Sequence, residues 1–249
     1  MDLDTTIVVP CYNEARRLPV DAFRTFAFAV PRVKFLFVDD GSTDDTARVL
    51  TNLEAAEPDH FQAILLPSNR GKAEAVRTGM LSALAGSGRY AGYWDADLAT
   101  PLSEIPRFIA TLDAYPERDV CLGARVQLLG RTIDRKPYRH YVGRVFATVA
   151  SGVLSLPVYD TQCGAKLFRT SDRIGELFDR PFLSRWIFDV ELIARLVRQR
   201  GRDAAARAIY ELPIMTWHDV KGSKVRSTDF FRALKDLWKI HRAYNRRDD

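Results

Sequence analysis

Short apolar runs alternate with longer amphipathic segments through the first half of the 249-residue chain, and this alternation restricts its fold more than any other feature. Thr5–Pro10, Lys34–Val38, Phe61–Leu66, Tyr90–Trp94 and Asp119–Arg125 read as strands. Leu18–Ala29, a segment from Ser42 through Ala55, Lys72–Leu84 and Pro101–Ala114 read as helices between them. Ser42-Thr43-Asp44-Asp45 has the character of a capping box. Strands separated by helices pair in parallel through right-handed crossovers, which predicts an α/β fold with a mostly parallel sheet. Ligands of such sheets bind beyond the carboxyl ends of the strands. Polar clusters fall at those ends: Tyr12-Asn13-Glu14, Asp39-Asp40, Asn69-Arg70-Gly71-Lys72 and Asp95/Asp97.

The last cluster carries the sharpest chemistry. Side chains two apart on a strand share a face, so Asp95 and Asp97 converge if the strand runs through them. Neighbouring carboxylates repel unless a cation lies between them. Hard Mg²⁺ or Mn²⁺ takes oxygen ligands and fills its shell with substrate phosphates. The pair therefore reads as a metal site that grips a diphosphate, or as two solvated turn aspartates before a helix opening at Pro101. Asp39-Asp40-Gly41-Ser42 is either a strand-ending turn or an acceptor for a nucleobase N–H. Gly71 opens a helix whose free N–H groups suit a phosphate; the alternative is a solvated surface loop. The chain lacks a Walker loop, and no Gly-x-Gly-x-x-Gly follows a strand, which counts against P-loop and dinucleotide-dependent classes.

A net charge of +5 favours anionic partners. Met1–Asp4 lacks the basic start and apolar core of a signal peptide. Val145–Val158, interrupted by Ser151, Gly152, Ser155 and Pro157, falls short of the ~20 residues a spanning helix needs. Cys11, Cys121 and Cys163 show no metal or redox spacing and suit a reducing cytosol. A basic run, Arg131, Arg135, Lys136, Arg139, His140 and Arg144, leads into apolar Val145, Phe146 and Val149. It reads as a solvated face or as a membrane surface. Nucleic acid fits poorly, because only Tyr138 and Tyr141 offer stacking there. Near the C-terminus, Phe230, Phe231, Leu234, Leu237, Trp238 and Tyr244 recur at helical spacing among basic residues. That pattern suits an interfacial anchor, a helix packed on the core, or an oligomer contact. Asp189, in Trp186–Leu192, is either a charge favoured at a helix N-terminus or a carboxylate aimed into the site.

Val8-Val-Pro-Cys-Tyr-Asn-Glu14, Val38-Asp-Asp-Gly-Ser42, Asn69-Arg-Gly-Lys72 and Asp95-Ala-Asp97 resemble the inverting glycosyltransferases of family 2. Gly123-Ala-Arg125, Asp160-Thr-Gln-Cys-Gly-Ala-Lys-Leu-Phe168, Trp186–Leu192 and Gly222-Ser-Lys224 are similar to the branch of dolichyl-phosphate β-glucosyltransferases and bacterial polyprenyl-phosphate glycosyltransferases. The resemblance spans about Thr6 to Lys224 and implies a GT-A type, Rossmann-like sheet with interfacial helices in the C-terminal half. It implies one domain over 1–249, with a nucleotide-sugar half at 1–125, an acceptor half at 126–224 and a basic amphipathic helix at 225–249.

Residue roles follow from the same resemblance. Pro10, Tyr12, Glu14 and Asp39 or Asp40 would surround base and ribose, with Lys72 nearby. Asp97 would ligate the metal and Asp95 would reach the ribose or the metal's water shell. Lys224, with Lys221, would meet the diphosphate, and Arg125 and Arg144 would hold the acceptor phosphate. Related mannosyl transferases carry Gln where Ala99 stands, and an arginine common before the Ser-Lys pair is missing. The implied reaction moves a hexose, glucose from UDP-glucose, onto a polyprenyl or dolichyl phosphate at the cytoplasmic face of the membrane. A phosphate nucleophile is largely ionised at neutral pH, its second pKa being near ~6, and needs no strong base. A hydroxyl acceptor would need one, and Asp189 is the candidate. GDP-mannose as donor, or a binding protein without catalysis, are the alternatives.

Overall fold

The computed structural model describes residues 4–134, 137–218 and 227–244, with the side chains of 137–142 and 227–231 outside the description. A central seven-stranded sheet runs in the order β3-β2-β1-β4-β7-β5-β8. Its strands are β1 (Thr5–Cys11), β2 (Val33–Asp39), β3 (Phe61–Leu65), β4 (Tyr90–Trp94), β5 (Val120–Ala124), β7 (Ala165–Arg169) and β8 (Ile209–Pro213). All neighbours pair in parallel except β7, which runs antiparallel between β4 and β5. A small second sheet joins β6 (Thr132–Asp134) to β9 (Thr216–His218).

Strand alternation divides the core into two layers. Val8, Val38, Tyr93, Leu122 and Phe168 point to one face, where α3 (Lys72–Leu84), α5 (Pro137–Leu154), α7 (Phe188–Arg200) and α9 (Ser227–Tyr244) pack. Ile7, Val9, Phe35, Phe37, Trp94 and Leu167 point to the other, under α1 (Val20–Ala29), α2 (Thr46–Ala56) and α4 (Ile105–Ala114). Edge-on contacts of Phe23 with Phe35 and Phe37, at 5.1 Å, knit that second layer together. Gly79 lets α3 lie close on the sheet, since a Cβ there would collide with the Val8 and Val38 side chains.

Several boundaries differ from expectation, for local reasons. The helix after β2 begins at Thr46, whose N–H is received by Asp44 Oδ1 at 3.0 Å and not by Ser42. Ser42 is engaged elsewhere, donating its hydroxyl to Asp39 and accepting Asn13 N–H at 2.9 Å, so the capping box does not form. After Pro101 a 3₁₀ turn, Leu102–Glu104, precedes α4. Short α6 (Asp172–Gly175) and α8 (Arg202–Ala208) complete the element order. In α9, Ala233, Leu237 and Ile240 are buried against the core, while Trp238 is 59% exposed. No helix among the described residues is long and apolar enough to cross a membrane.

Candidate active site

Three loops at the carboxyl edge of the sheet clasp one another. Asp40 N–H bonds the Cys11 carbonyl at 2.8 Å, Thr43 N–H bonds Asn13 Oδ1 at 2.8 Å, and Glu14 N–H bonds Thr46 Oγ1 at 2.8 Å. These bonds bring Tyr12, Glu14, Asp39 and Asp40 together beyond β1 and β2. Asn13 adopts φ +52, a left-handed conformation that asparagine tolerates. The two aspartates then divide their work. Asp40 accepts Arg70 N–H at 2.7 Å on one oxygen and Gly71 N–H at 2.8 Å on the other, so it shapes the 69–72 loop. Burial raises its pKa, partly offset by those two N–H bonds. Among the described residues, the Asp39 carboxylate bonds locally, to the Ser42 N–H at 3.2 Å and the Ser42 hydroxyl.

Protein acceptors take up part of the N-terminus of α3. Ala73 N–H donates to the Arg185 carbonyl, and Glu74 and Ala75 N–H donate to the Gly71 carbonyl. Ala73 and Glu74 N–H thus already have protein acceptors, which counts against the phosphate reading of this helix start. Arg185 also bonds the Arg70 carbonyl at 2.9 Å and Asn69 Oδ1 at 2.7 Å. Gly71 sits at φ +99 beneath it, where a side chain would be strained and would strike Arg185.

Strand β4 stops at Trp94, so Asp95 and Asp97 converge through a turn and not through strand alternation. Asp97 Oδ1 accepts Ala99 N–H at 3.1 Å, Leu98 N–H bonds the Asp95 carbonyl at 3.2 Å, and Trp94 Nε1–H bonds the Thr100 carbonyl at 2.7 Å. Leu98 is held at φ +51, a conformation that costs a branched residue about 1–3 kcal/mol and that the surrounding bonds enforce. Asp97 is reached by solvent yet crowded by protein. That desolvation, then the Asp95 charge, raises its pKa against the pull of Ala99 N–H and Lys72, and Glu14 adds to the rise. Lys72 forms an ion pair with Asp95. Burial works against the ammonium, but Asp95, Asp189 and Asp97 outweigh it and raise its pKa.

Asp189 is committed to partners within the protein. It is 5% exposed, and its Oδ1 accepts both Lys166 Nζ and the Tyr93 hydroxyl at 2.6 Å. Burial first, then Asp189, pushes the Tyr93 phenol well above its ordinary range. The base role entertained for Asp189 finds no support in this arrangement.

The two arginines implied for an acceptor meet on one loop. Arg125, just past β5, forks onto Asp160 through Nε at 2.7 Å and Nη2 at 2.8 Å. Burial alone would lower its pKa; Asp160 outweighs it and keeps the guanidinium charged. Arg144 lies 4.0 Å over the Tyr159 ring. Glu211, on β8, receives Tyr159 N–H at 2.9 Å and Asp160 N–H at 3.0 Å, which pins that loop to the sheet. Pro10 lies within β1. Lys221 and Lys224 lie outside the described residues, as do Arg135, Lys136, Arg246 and Arg247.

Sequence reading gave no role to Arg185 or Glu211, nor to Asp160 and Lys166, which stand in the stretch that carries the family resemblance. Lys166 carried a signal, a single charge inside the apolar run Ala165–Phe168. Asp160 carried a weaker one, opening a polar interruption between two apolar stretches.

Comparison with known proteins fits this geometry. Residues 6–174 match glycosyl transferase family 2. The chain is 30% identical over 259 residues to the dolichyl-phosphate beta-glucosyltransferase of Saccharomyces cerevisiae, covering 96% of this chain and 74% of that protein. The Drosophila melanogaster protein of that name is 33% identical over 260 residues, covering 96% and 74%. The Homo sapiens protein is 30% identical over 258 residues, covering 96% and 75%. Among solved structures, glucosyl-3-phosphoglycerate synthase from Mycobacterium tuberculosis, in complex with Mn²⁺, UDP and glucosyl-3-phosphoglycerate, shares the fold with a TM-score of 0.67. Its identity is 17%, covering 99% of this chain and 81% of that one. With a GT-A sheet and its carboxylate turn, the chain belongs to glycosyl transferase family 2, as a nucleotide-sugar-dependent glycosyltransferase.

Proposed function

We propose that this protein transfers glucose from UDP-glucose to the phosphate of a polyprenyl or dolichyl lipid, with inversion at the anomeric carbon. The convergence of Asp95, Asp97 and Lys72 at the edge of β4 carries the reading, in a chain about 30% identical to dolichyl-phosphate β-glucosyltransferases.

The donor set fits Mg²⁺ or Mn²⁺. It is all oxygen, and the Lys72 ammonium already rests on Asp95 as a cation in that position. No group of three or more His, Cys, Asp or Glu able to hold a metal occurs among the described residues. Asp95 and Asp97 would hold the ion, with diphosphate oxygens and water completing its shell. When bound, the ion supplies electrostatic stabilisation of the departing diphosphate. Lys72 adds positive charge beside the same turn, and Lys221 and Lys224 are assigned to the diphosphate on sequence grounds.

Pro10, Tyr12 and Glu14 border the base and ribose. Asp39, whose carboxylate bonds Ser42 among the described residues, is the better placed of the two aspartates to accept a base N–H, because Asp40 is committed to Arg70 and Gly71. Arg125 and Arg144 receive the lipid phosphate. Asp160 engages two of the five guanidinium N–H donors of Arg125 through its side chain and aims the rest. An ionised phosphate oxygen attacks the anomeric carbon, the bond to UDP breaks, and the electron pair leaves with UDP. Both nucleophile and leaving group are anionic, so no proton has to move.

The working surface is assigned to the cytoplasmic face of a membrane, with the protein bound peripherally. Val145 and Val149 are exposed one turn apart on α5, and Trp238 stands exposed on α9 with Arg242 5.5 Å from its ring.

The test incubates purified protein with Mn²⁺ or Mg²⁺, a short polyprenyl phosphate and a panel of UDP- and GDP-sugars, with glycolipid read by mass spectrometry. Glucolipid from UDP-glucose, lost in Asp97→Ala and Arg125→Ala, supports the proposal. Product from GDP-mannose changes the donor, transfer to a soluble hydroxyl removes the lipid, and nucleotide binding without turnover leaves a binding protein.

A further inference from the structure

Strand β7 places a lysine where the core is otherwise apolar: Ala165, Leu167 and Phe168 are buried, and Lys166 is 0% exposed. A buried ammonium is tolerated only with its donors satisfied. An ammonium has three N–H groups, and Lys166 directs its Nζ to the Thr161 carbonyl at 3.1 Å, the Cys163 carbonyl at 2.7 Å and Asp189 Oδ1 at 2.6 Å. The strand register seats Lys166 opposite Tyr93 on β4, and both side chains end on that same Asp189 oxygen.

The two carbonyls belong to the loop that joins both halves of the site. Gly164, next to Cys163, accepts Asp95 N–H at 3.0 Å through its carbonyl. A Cβ on Gly164 would overlap the Asp95 carboxylate, so that carboxylate lies directly on the loop backbone. Asp160, next to Thr161, grips Arg125. One ammonium thus fixes a short segment whose two ends touch the donor-side carboxylate and the acceptor-side guanidinium.

We propose that Lys166 is a positioning residue: it sets the spacing between the Asp95 carboxylate and the Arg125 guanidinium, and hence between sugar donor and acceptor phosphate. The proposal rests on the nucleotide-sugar reading above. It separates Lys166 from an ordinary buried ion pair, which would contribute to stability alone.

The test uses the full chain as wild type, Lys166→Met and Lys166→Met/Asp189→Asn, the last leaving no uncompensated buried charge. UDP binding with and without Mn²⁺ is measured by calorimetry, unfolding by heat, and KM for a short polyprenyl phosphate by product formation. Replacing both members of a buried pair is often neutral for stability. At a midpoint close to wild type, the double variant is expected to bind UDP with Mn²⁺ about 10–100-fold more weakly, the range for removing a support behind a metal-binding group. Its KM for the lipid phosphate rises in parallel. Wild-type affinity and KM in a folded double variant overturn the proposal. So does a loss that merely tracks a lowered midpoint through both variants, failure to fold included. Wild-type protein that binds no UDP under any condition removes the nucleotide-sugar reading itself, and the positioning role with it.

Discussion

Two lysine–aspartate pairs flank strand β4, and they differ in what surrounds them. Lys72 and Asp95 keep about a third of their side chains exposed, at 34% and 32%; Lys166 and Asp189 keep 0% and 8%. Water screens the first pair and competes for both partners, so either charge can be exchanged for another ion at small cost. The second has little water to fall back on, and its ammonium has three acceptors. The same chemistry therefore yields an exchangeable contact at the mouth of the site and a fixed brace beneath it.

The largest effect should come from the open side. Asp97→Ala leaves Asp95 alone at the turn and should reduce kcat/KM about 10²–10³-fold, read from glycolipid formation. On the closed side, Lys166→Met alone strands the Asp189 charge and should cost about 3–5 kcal/mol in denaturant unfolding. Phe35→Ala, in the opposite core layer, should cost a similar ~3–5 kcal/mol while sparing nucleotide affinity, which separates stability from positioning. Lys72→Met should change stability by no more than about 1 kcal/mol, because the pair is partly solvated, and should weaken donor binding instead.

The smallest effect is one of pH. Burial raises the Glu211 pKa above its ordinary 4.5, with the Tyr159 and Asp160 N–H groups opposing. The folded state then holds its proton to higher pH than the unfolded chain does. Its contribution is full below pH 4.5 and is lost as pH rises through the raised value. Glu211→Gln should flatten that part of the stability–pH curve, and an unchanged slope would place the titration elsewhere.

Much of the first half of the chain was legible because local rules govern it. Apolar runs with turn residues at their ends placed β1 to β5 within a residue or two, and Asp95 and Asp97 stood out as charges closing an apolar strand. The second half was harder to read, since its order depends on contacts distant in sequence. Antiparallel β7 enters between β4 and β5, and Glu211 holds Tyr159 from 52 residues away. Periodicity carries no signal for such pairings. Two local patterns meet partners from elsewhere in the chain: Ala73 N–H at the Gly71 helix start bonds the Arg185 carbonyl, and Ser42 accepts Asn13 N–H from 29 residues away.

The most direct test of this contrast is a crystal structure with Mn²⁺ and UDP, the ion located by its anomalous signal. The account predicts Mn²⁺ at the Asp95–Asp97 turn, Asp95 released from Lys72, and Lys166 still bonded to Asp189, Thr161 and Cys163. An ion bound away from that turn, with the Lys72–Asp95 pair intact, would contradict it.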